Sequence, residues 1–308
     1  MANSSAKTEK SKRNKTLDLP LEACGGALEK CLFPTRPLDA DEARDQVLCG
    51  DFFRIAPLLP AKSFDLVIAD PPYNLRKDYG GEVFPRQSDA DYADFSRRWL
   101  GEIRRLLTDS GSLYVCCDWQ TGLVVGPLLA ESFTLRSRIT WGREKGRGAA
   151  KNWKNAMEDI FFCTVGADYT FHLDAVKQLR RVKAPYTENG EPKDWERTGA
   201  GNFRRTCPSN FWDDITIPFW SMAENTAHPA QKPEKLIAKL ILASSDPGGR
   251  ILDPFSGAGT TAVTAKKLGR RFTAIEKNKQ YCAWTQLRLE RAETDKRIQG
   301  YENGVFFK

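Results

Sequence analysis

The feature that most constrains this 308-residue chain is the position of its glycine turn. Ile251-Leu252-Asp253-Pro254-Phe255-Ser256-Gly257-Ala258-Gly259 lies where an apolar strand gives way to a helix, and Glu276 ends the next strand. Glycines at such a joint let the backbone approach a ligand closely, and the helix N-terminus favours polar or anionic groups. A carboxylate ending the following strand can accept hydrogen bonds from ribose hydroxyls, so the pattern describes a nucleoside site. A tight turn without a ligand is the bland alternative. Only 51 residues follow Gly257, room for two βα units. A doubly wound sheet needs more strands, so the N-terminal half must supply them. The strand order is therefore circularly permuted, with the cofactor strand coming last.

Gly257-Ala258-Gly259-Thr260-Thr261-Ala262 formally satisfies the dinucleotide fingerprint, which keeps an NAD oxidoreductase in view. No Gly-Lys-Ser/Thr follows, so a phosphate-gripping Walker loop is excluded. Dehydrogenases are not usually wired in the permuted order.

The remaining strands are legible upstream. Val47 to Asp51 reads as a short strand with a turn, and Phe64-Asp65-Leu66-Val67-Ile68-Ala69 is a nearly continuous apolar run. Such a run suits a parallel strand covered on both faces. Leu75 to Ser88 is polar and glycine-rich, which predicts a mobile stretch. Tyr92, Phe95, Trp99, Ile103 and Leu106 recur at helical spacing, with Ser88 and Asp91 placed for a capping box. A turn at Thr108 to Gly111 then leads into a strand from Ser112 to Cys117, completing a βαβ unit. Later elements are a helix from Pro233 to Ser244, a strand from Arg250 to Asp253 and a helix from Thr260 to Leu268. A strand from Arg271 to Glu276 and a helix from about Lys279 to Glu293 follow.

Asp70-Pro71-Pro72-Tyr73-Asn74 follows the buried strand directly, at a carboxyl end where active sites of such sheets lie. An exocyclic amine on adenine or cytosine is a poor nucleophile because its lone pair delocalises into the ring. Accepting its two N–H bonds, from the Asp70 carboxylate and a carbonyl near Pro71, favours a pyramidal nitrogen whose lone pair can attack a methyl group. Two prolines preorganise these acceptors, and Tyr73 offers a face on which the base can stack. A proline turn with a satisfied Asp is the bland alternative.

These residues resemble the DNA amino-methyltransferases, specifically the permuted β group, in which Asp-Pro-Pro-Tyr precedes the target-recognition region and Phe-x-Gly-x-Gly comes last. The resemblance spans roughly Val47 to Glu290. It implies a circularly permuted, doubly wound (Rossmann-like) α/β fold with a small target-recognition insert, and S-adenosylmethionine as cofactor. Asp70, Pro71, Pro72 and Tyr73 are then catalytic, Asp70 also lying beside the cofactor. Asp253, Phe255, Ser256, Gly257, Gly259, Thr260 and Glu276 hold S-adenosylmethionine, and Asp51 lies at its adenine end. His228-Pro229-Ala230-Gln231-Lys232-Pro233 resembles the segment that contacts the methionine moiety, with Lys232 facing its carboxylate. Read from chemistry alone, His228 is as readily a structural histidine. Ile139-Thr140-Trp141-Gly142-Arg143 resembles the segment beside the target-base pocket.

Four segments are expected: a loosely attached leader over 1–44, a catalytic half over 45–176, a target-recognition insert over 177–225 and a cofactor-binding half over 226–308. Within the insert, Trp212 and Trp220 are expected in a small core. The base must leave the helix to reach Asp70, because its amine is inaccessible in a duplex.

Charge supports a polyanionic partner. The chain carries a net +7, and seven basic residues fall between Arg136 and Lys154 against the single acid Glu144. Arg143, Lys145, Arg147, Lys151 and Lys154 are the candidate contacts to double-stranded DNA, with Trp141 and Trp153 offering faces for unstacked bases. A solvated charged loop is the competing reading. Two histidines and eight cysteines without a C-x-x-C pair leave little for a metal cluster. No apolar run of about 18 residues suggests a membrane span, and the polar, basic N-terminus is not a secretory signal. Reduced thiols in the cytoplasm are expected.

Asp at the first motif position is the more usual adenine form in the family, so N6 of adenine is expected ahead of N4 of cytosine. A DNA-binding homologue without catalysis is the more distant alternative, and protein or RNA methylation fits the permutation less well. A restriction-modification setting, with a cognate endonuclease acting independently, and a homodimer are both compatible with family habit. No residue demands either.

Overall fold

The computed structural model describes residues 11–143, 150–183, 186–199 and 201–307, excepting the side chain of Thr198. Among the described residues, thirteen strands make up the two larger sheets. They are β1 (Gln46–Cys49), β2 (Phe64–Ala69), β3 (Leu107–Cys117), β4 (Thr134–Gly142) and β5 (Met157–Thr164). Next come β6 (Gln178–Arg181), β7 (Glu196–Thr198), β8 (Gly201–Thr206) and β9 (Phe211–Trp212). The last are β10 (Arg250–Asp253), β11 (Arg271–Glu276), β12 (Tyr301–Glu302) and β13 (Val305–Phe306). Six helices accompany them: α1 (Phe52–Ile55), α2 (Asp89–Leu106), α3 (Trp119–Ser132), α4 (Glu234–Ser244), α5 (Thr260–Lys267) and α6 (Lys279–Thr294).

The main sheet runs β1-β11-β10-β2-β3-β5-β4-β9. Its first five strands are parallel; β5 is antiparallel to both β3 and β4. Alternation along the buried strands explains why both faces are covered. Leu66, Ile68, Tyr114, Cys116 and Ile251 pack with α4, α5 and α6, whereas Val67, Ala69, Leu113, Val115 and Leu252 pack with α2 and α3. The permutation is visible in one contact: β2 and β10, far apart in the chain, pair through Ile251 opposite Leu66 and Leu252 opposite Val67. Strands proceed outward in opposite directions from that junction, so the carboxyl ends of β2 and β10 frame the crevice of a doubly wound sheet.

Helix α2 starts as expected, with the Ser88 hydroxyl accepting the Asp91 N–H at 3.1 Å. The hydroxyl also donates to the Asp91 carboxylate, so a hydroxyl–carboxylate pair replaces the reciprocal box. The expected turn at Thr108–Gly111 is instead an irregularity inside β3, where pairing jumps from Phe64–Leu107 to Leu66–Ser112. Arg105 and Leu106 hold the Lys62–Ser63 backbone there, which lets the strand continue through the extra residues. The polar stretch after Tyr73, expected to be mobile, contains a short hairpin, Lys77–Asp78 with Val83–Phe84.

Two expected boundaries need correction. Residues 11–44 are docked rather than loosely attached: Leu17 bridges to Thr226, Cys24 and Ala27 bury against Tyr281 and Trp284, and the Trp284 indole donates to the Leu19 carbonyl. Scattered apolar residues without periodicity suffice for this, because they plug an existing surface instead of forming elements. The insert is not self-contained either. Its sheet runs β7-β8-β6-β13-β12, so the C-terminal strands complete it, and β9 joins the main sheet beside β4. Trp212 is buried as expected, but Trp220 is half exposed, its carbonyl holding the Lys15 N–H.

Candidate active site

A cavity of about 300 Å³ opens over the carboxyl ends of β2, β10 and β11. It is lined by Asp51, Asp70 to Tyr73, Asp253 and Phe255 to Ala258, together with Thr260 and Glu276. His228, Lys232, Trp141, Arg143 and Glu158 complete the part used below. The permuted chain thus brings the two motifs read from sequence to one crevice.

At one end stands the glycine turn. Gly257 and Gly259 adopt left-handed φ values of 51° and 76°. A Cβ on Gly257 would lie 2.8 Å from His228 Nε2, and one on Gly259 would lie 2.2 Å from Thr285 Cγ2. Glycine is required at both by conformation and by space. The Glu276 carboxylate accepts the Gly257 N–H through one oxygen and the Asn278 N–H through the other, each at 2.8 Å. Asp253 accepts the Phe255 N–H at 3.1 Å. Burial pushes both carboxyls up to about 7, although the backbone donors pull the other way. Among the described residues the buried Ser256 hydroxyl has no hydrogen-bond partner, and Ser256 lines the cavity beside the glycine turn, where a polar ligand would supply one. Asp51 has a local task as well, its carboxylate capping α1 through the Phe53 N–H at 3.0 Å.

Behind the turn, Thr260 Oγ1 accepts from Arg288, which also binds the Ala258 carbonyl and Glu234. His228 closes one side of the cavity. Its ring packs edge-on to Tyr281 at 4.5 Å, and Nδ1 accepts the Ala230 N–H. Burial lowers its pKa to about 3, so the ring is neutral and uncharged packing is its evident contribution.

The other end is built around Asp70. Tyr92 donates its hydroxyl to the Pro72 carbonyl at 3.0 Å, anchoring the double-proline turn to α2. Tyr73 donates to Asp70 Oδ1 at 2.9 Å and approaches Glu158 Oε2 at 3.2 Å. Lys232, expected to face the cofactor's carboxylate, lines the cavity and is paired there with two carboxylates of the protein itself. Its Nζ lies 2.5 Å from Asp70 Oδ2 and 3.4 Å from Glu158 Oε2. Burial disfavours the Lys232 ammonium, but the two carboxylates more than offset this and raise its pKa, so it stays charged. Burial, then the neighbouring Asp70 and Glu158 charges, raises the Tyr73 phenol well above its ordinary value and keeps it a donor.

Glu158 was not legible from sequence. It lies on β5 opposite Trp141, only 4% exposed, with Arg143 paired to its Oε1 at 2.9 Å. The available signal was Glu158-Asp159 heading an apolar strand, where alternation sends one acid to each covered face. The basic segment divides. Arg136 is tied to Thr164 and Gly166, and Arg138 lies near Asp159. Lys151 and Lys154 are exposed, and Lys145 and Arg147 fall outside the described residues. Trp141 is core, its indole N–H on the Ile215 carbonyl, whereas Trp153 is 92% exposed.

Known proteins resemble this chain in sequence and fold. The chain is 32% identical to the DNA adenine methyltransferase YhdJ of Escherichia coli strain K12 over 251 residues, 79% of this chain and 82% of that protein. It is 32% identical to the type II methyltransferase M.HpaI of Haemophilus parainfluenzae over 248 residues, 80% and 74% of the two chains. Among solved structures, the M1.HpyAVI–SAM complex superposes with a TM-score of 0.53 at 20% identity, covering 79% of this chain and 98% of that one. The PvuII cytosine-N4-specific DNA methyltransferase gives 0.56 at 17% identity, over 80% and 89%. The sequence pattern of the DNA methylase family matches residues 64–287, from the first residue of β2 to the middle of α6. The chain belongs to that family, the N6/N4 DNA methyltransferases.

Proposed function

We propose that this protein transfers a methyl group from S-adenosylmethionine to N6 of a flipped-out adenine in double-stranded DNA. The observation that carries the reading is the adjacency of Asp70, at the end of β2, to the glycine turn at the end of its neighbour β10. Two features suit the cofactor: the unpartnered Ser256 hydroxyl and the glycine cradle backed by Glu276 and Asp253. When bound, S-adenosylmethionine supplies an electrophilic methyl group on a sulfonium sulfur, which keeps the electron pair of the broken S–C bond. In this reading Asp253, Phe255, Ser256, Gly257, Gly259, Thr260, Glu276 and Asp51 hold the cofactor.

Asp70 and a carbonyl of the Pro71–Pro72 turn accept the two N–H bonds of the target amine, which localises its lone pair for N–C bond formation. Asp70 then takes the proton that the nitrogen must lose. Tyr73 stacks on the base, while Lys151 and Lys154 contact the phosphate backbone; Arg143, expected among those contacts, is engaged by Glu158 at the cavity. Adenine is favoured by Asp at the first motif position and by the relative named as an adenine methyltransferase.

Incubating the protein with DNA and S-adenosylmethionine, then digesting to nucleosides for mass spectrometry, tests this. N6-methyldeoxyadenosine is the expected product. N4-methyldeoxycytidine would overturn the adenine assignment, and the absence of any methylated nucleoside would overturn the activity. Single-molecule sequencing of DNA from an expressing host identifies the site and reveals whether a restriction-modification context needs to be sought.

A further inference from the structure

We propose that Glu158 is a positioning residue that draws Lys232 off Asp70 when the target amine arrives. The inference rests on the methyl-transfer reading of the same site. In the free protein both Asp70 oxygens are engaged, Oδ2 by the Lys232 ammonium at 2.5 Å and Oδ1 by the Tyr73 hydroxyl at 2.9 Å. An exocyclic amine is neutral and a weaker donor than an ammonium, so it does not displace Lys232 unaided. An ammonium bound to Asp70 also weakens the carboxylate as an acceptor.

Glu158 provides the second seat. Its Oε2 is already 3.4 Å from Lys232 Nζ and 3.2 Å from the Tyr73 hydroxyl. A movement of about 1 Å brings Nζ into full hydrogen-bond range of Glu158. The same two donors therefore lie between two carboxylates and can pass from one to the other. Which partner moves follows from the anchoring. Glu158 sits within β5, held through Oε1 by Arg143 at 2.9 Å. Lys232 extends a flexible stem from the segment before α4. Both groups are buried, Glu158 at 4% and Lys232 at 8% exposure, so the ammonium must keep a carboxylate partner throughout. Without Glu158, releasing Asp70 would strand it.

Glu158→Gln tests this, because the amide keeps the volume and the acceptor for Tyr73 while removing the charge. Three measurements are made: cofactor and DNA dissociation constants, fluorescence of 2-aminopurine at the target position, and the single-turnover methylation rate with both ligands saturating. The expected result is cofactor and DNA affinities within about threefold of wild type, an undiminished flipped-base signal, and a rate at least tenfold lower. Adding Lys232→Met to Glu158→Gln should then raise the rate at least fivefold above that of Glu158→Gln alone, since Asp70 is no longer capped. An unchanged rate in Glu158→Gln, loss of cofactor binding, or a double variant no faster than Glu158→Gln would each overturn the proposal. Failure of the wild-type chain to methylate DNA overturns the parent reading instead, so the two failures are distinguishable.

Discussion

Asp70 meets two donors in the free protein, and the proposed reaction requires it to lose at least one of them. Asp70→Ala removes the amine acceptor while leaving the glycine turn intact. The methylation rate should fall at least about 10²-fold, the cost of removing a preorganised electrostatic partner. Calorimetry should find the S-adenosylmethionine affinity within a few-fold of wild type. Loss of that affinity would instead place Asp70 mainly in the cofactor site. Glu276 carries a pH dependence whose sign can be worked out. Burial raises its pKa from the ordinary 4.5 to about 7, so the protonated carboxyl is the form the ligand-free fold prefers. Its contribution to stability is complete below about pH 4.5 and is lost as pH rises through 7. Thermal melts of ligand-free wild type and Glu276→Gln should diverge over that window, the wild type losing relative stability towards pH 7. Ribose hydroxyls favour the carboxylate, so cofactor affinity should rise between pH 6 and 8, and less steeply in the variant, where Asp253, also raised to about 7, remains.

At the scale of elements, α6 locks the glycine turn to α4 through one buried side chain. Arg288 donates to the Ala258 carbonyl at 2.6 Å, to Thr260 at 3.1 Å and to Glu234 at 3.1 Å. Arg288→Met keeps the aliphatic stem but leaves two acceptors bare and one carboxylate short of a partner. Lys267 remains on Glu234, which moderates the loss. Urea unfolding should show a destabilisation of about 3 kcal/mol, within the range for breaking a buried pair, and cofactor binding should weaken with it. A change below about 0.5 kcal/mol, typical of surface substitutions, would mean that α6 does not brace the turn. Element positions were largely legible beforehand because buried parallel strands are near-continuous apolar runs and glycine marks their ends. The irregularity inside β3 was not, since Thr108 to Gly111 has turn composition and is held by distant segments, the Val165 N–H on the Gly111 carbonyl and the Lys62 ammonium on Asp109.

Across the whole molecule, the exposed cations and the cavity mouth belong to one surface. Arg143 bonds the Ala156 carbonyl and pairs with Glu158, so the segment carrying Lys151, Trp153 and Lys154 is rooted at the cavity rim. Each lysine that neutralises a phosphate contributes to the salt dependence of DNA binding. Replacing Lys151 and Lys154 by Ala should weaken binding to specific and unrelated duplexes alike. It should also reduce the slope of log K against log salt by about 1 to 2. An unchanged slope would remove this segment from the phosphate contacts.

The residues alone identified the two motifs and the order in which the chain supplies them. Asp70 to Tyr73, Gly257, Gly259 and Glu276 are readable as candidates because what each can do depends on local backbone form and residue type. Only tertiary structure decided where Lys232 sits. Its motif neighbours place it at the cavity, but the carboxylates it pairs with, Asp70 and Glu158, arrive from β2 and β5. Glu158 itself was hidden for the same reason, since an acid at the head of an apolar strand gains meaning only from what the sheet places opposite it. The docked N-terminal segment and the shared sheet of residues 178–206 and 301–306 also depend on surfaces made elsewhere in the chain. Local pattern records what a segment can form; which charges must share a buried space is settled when distant segments meet.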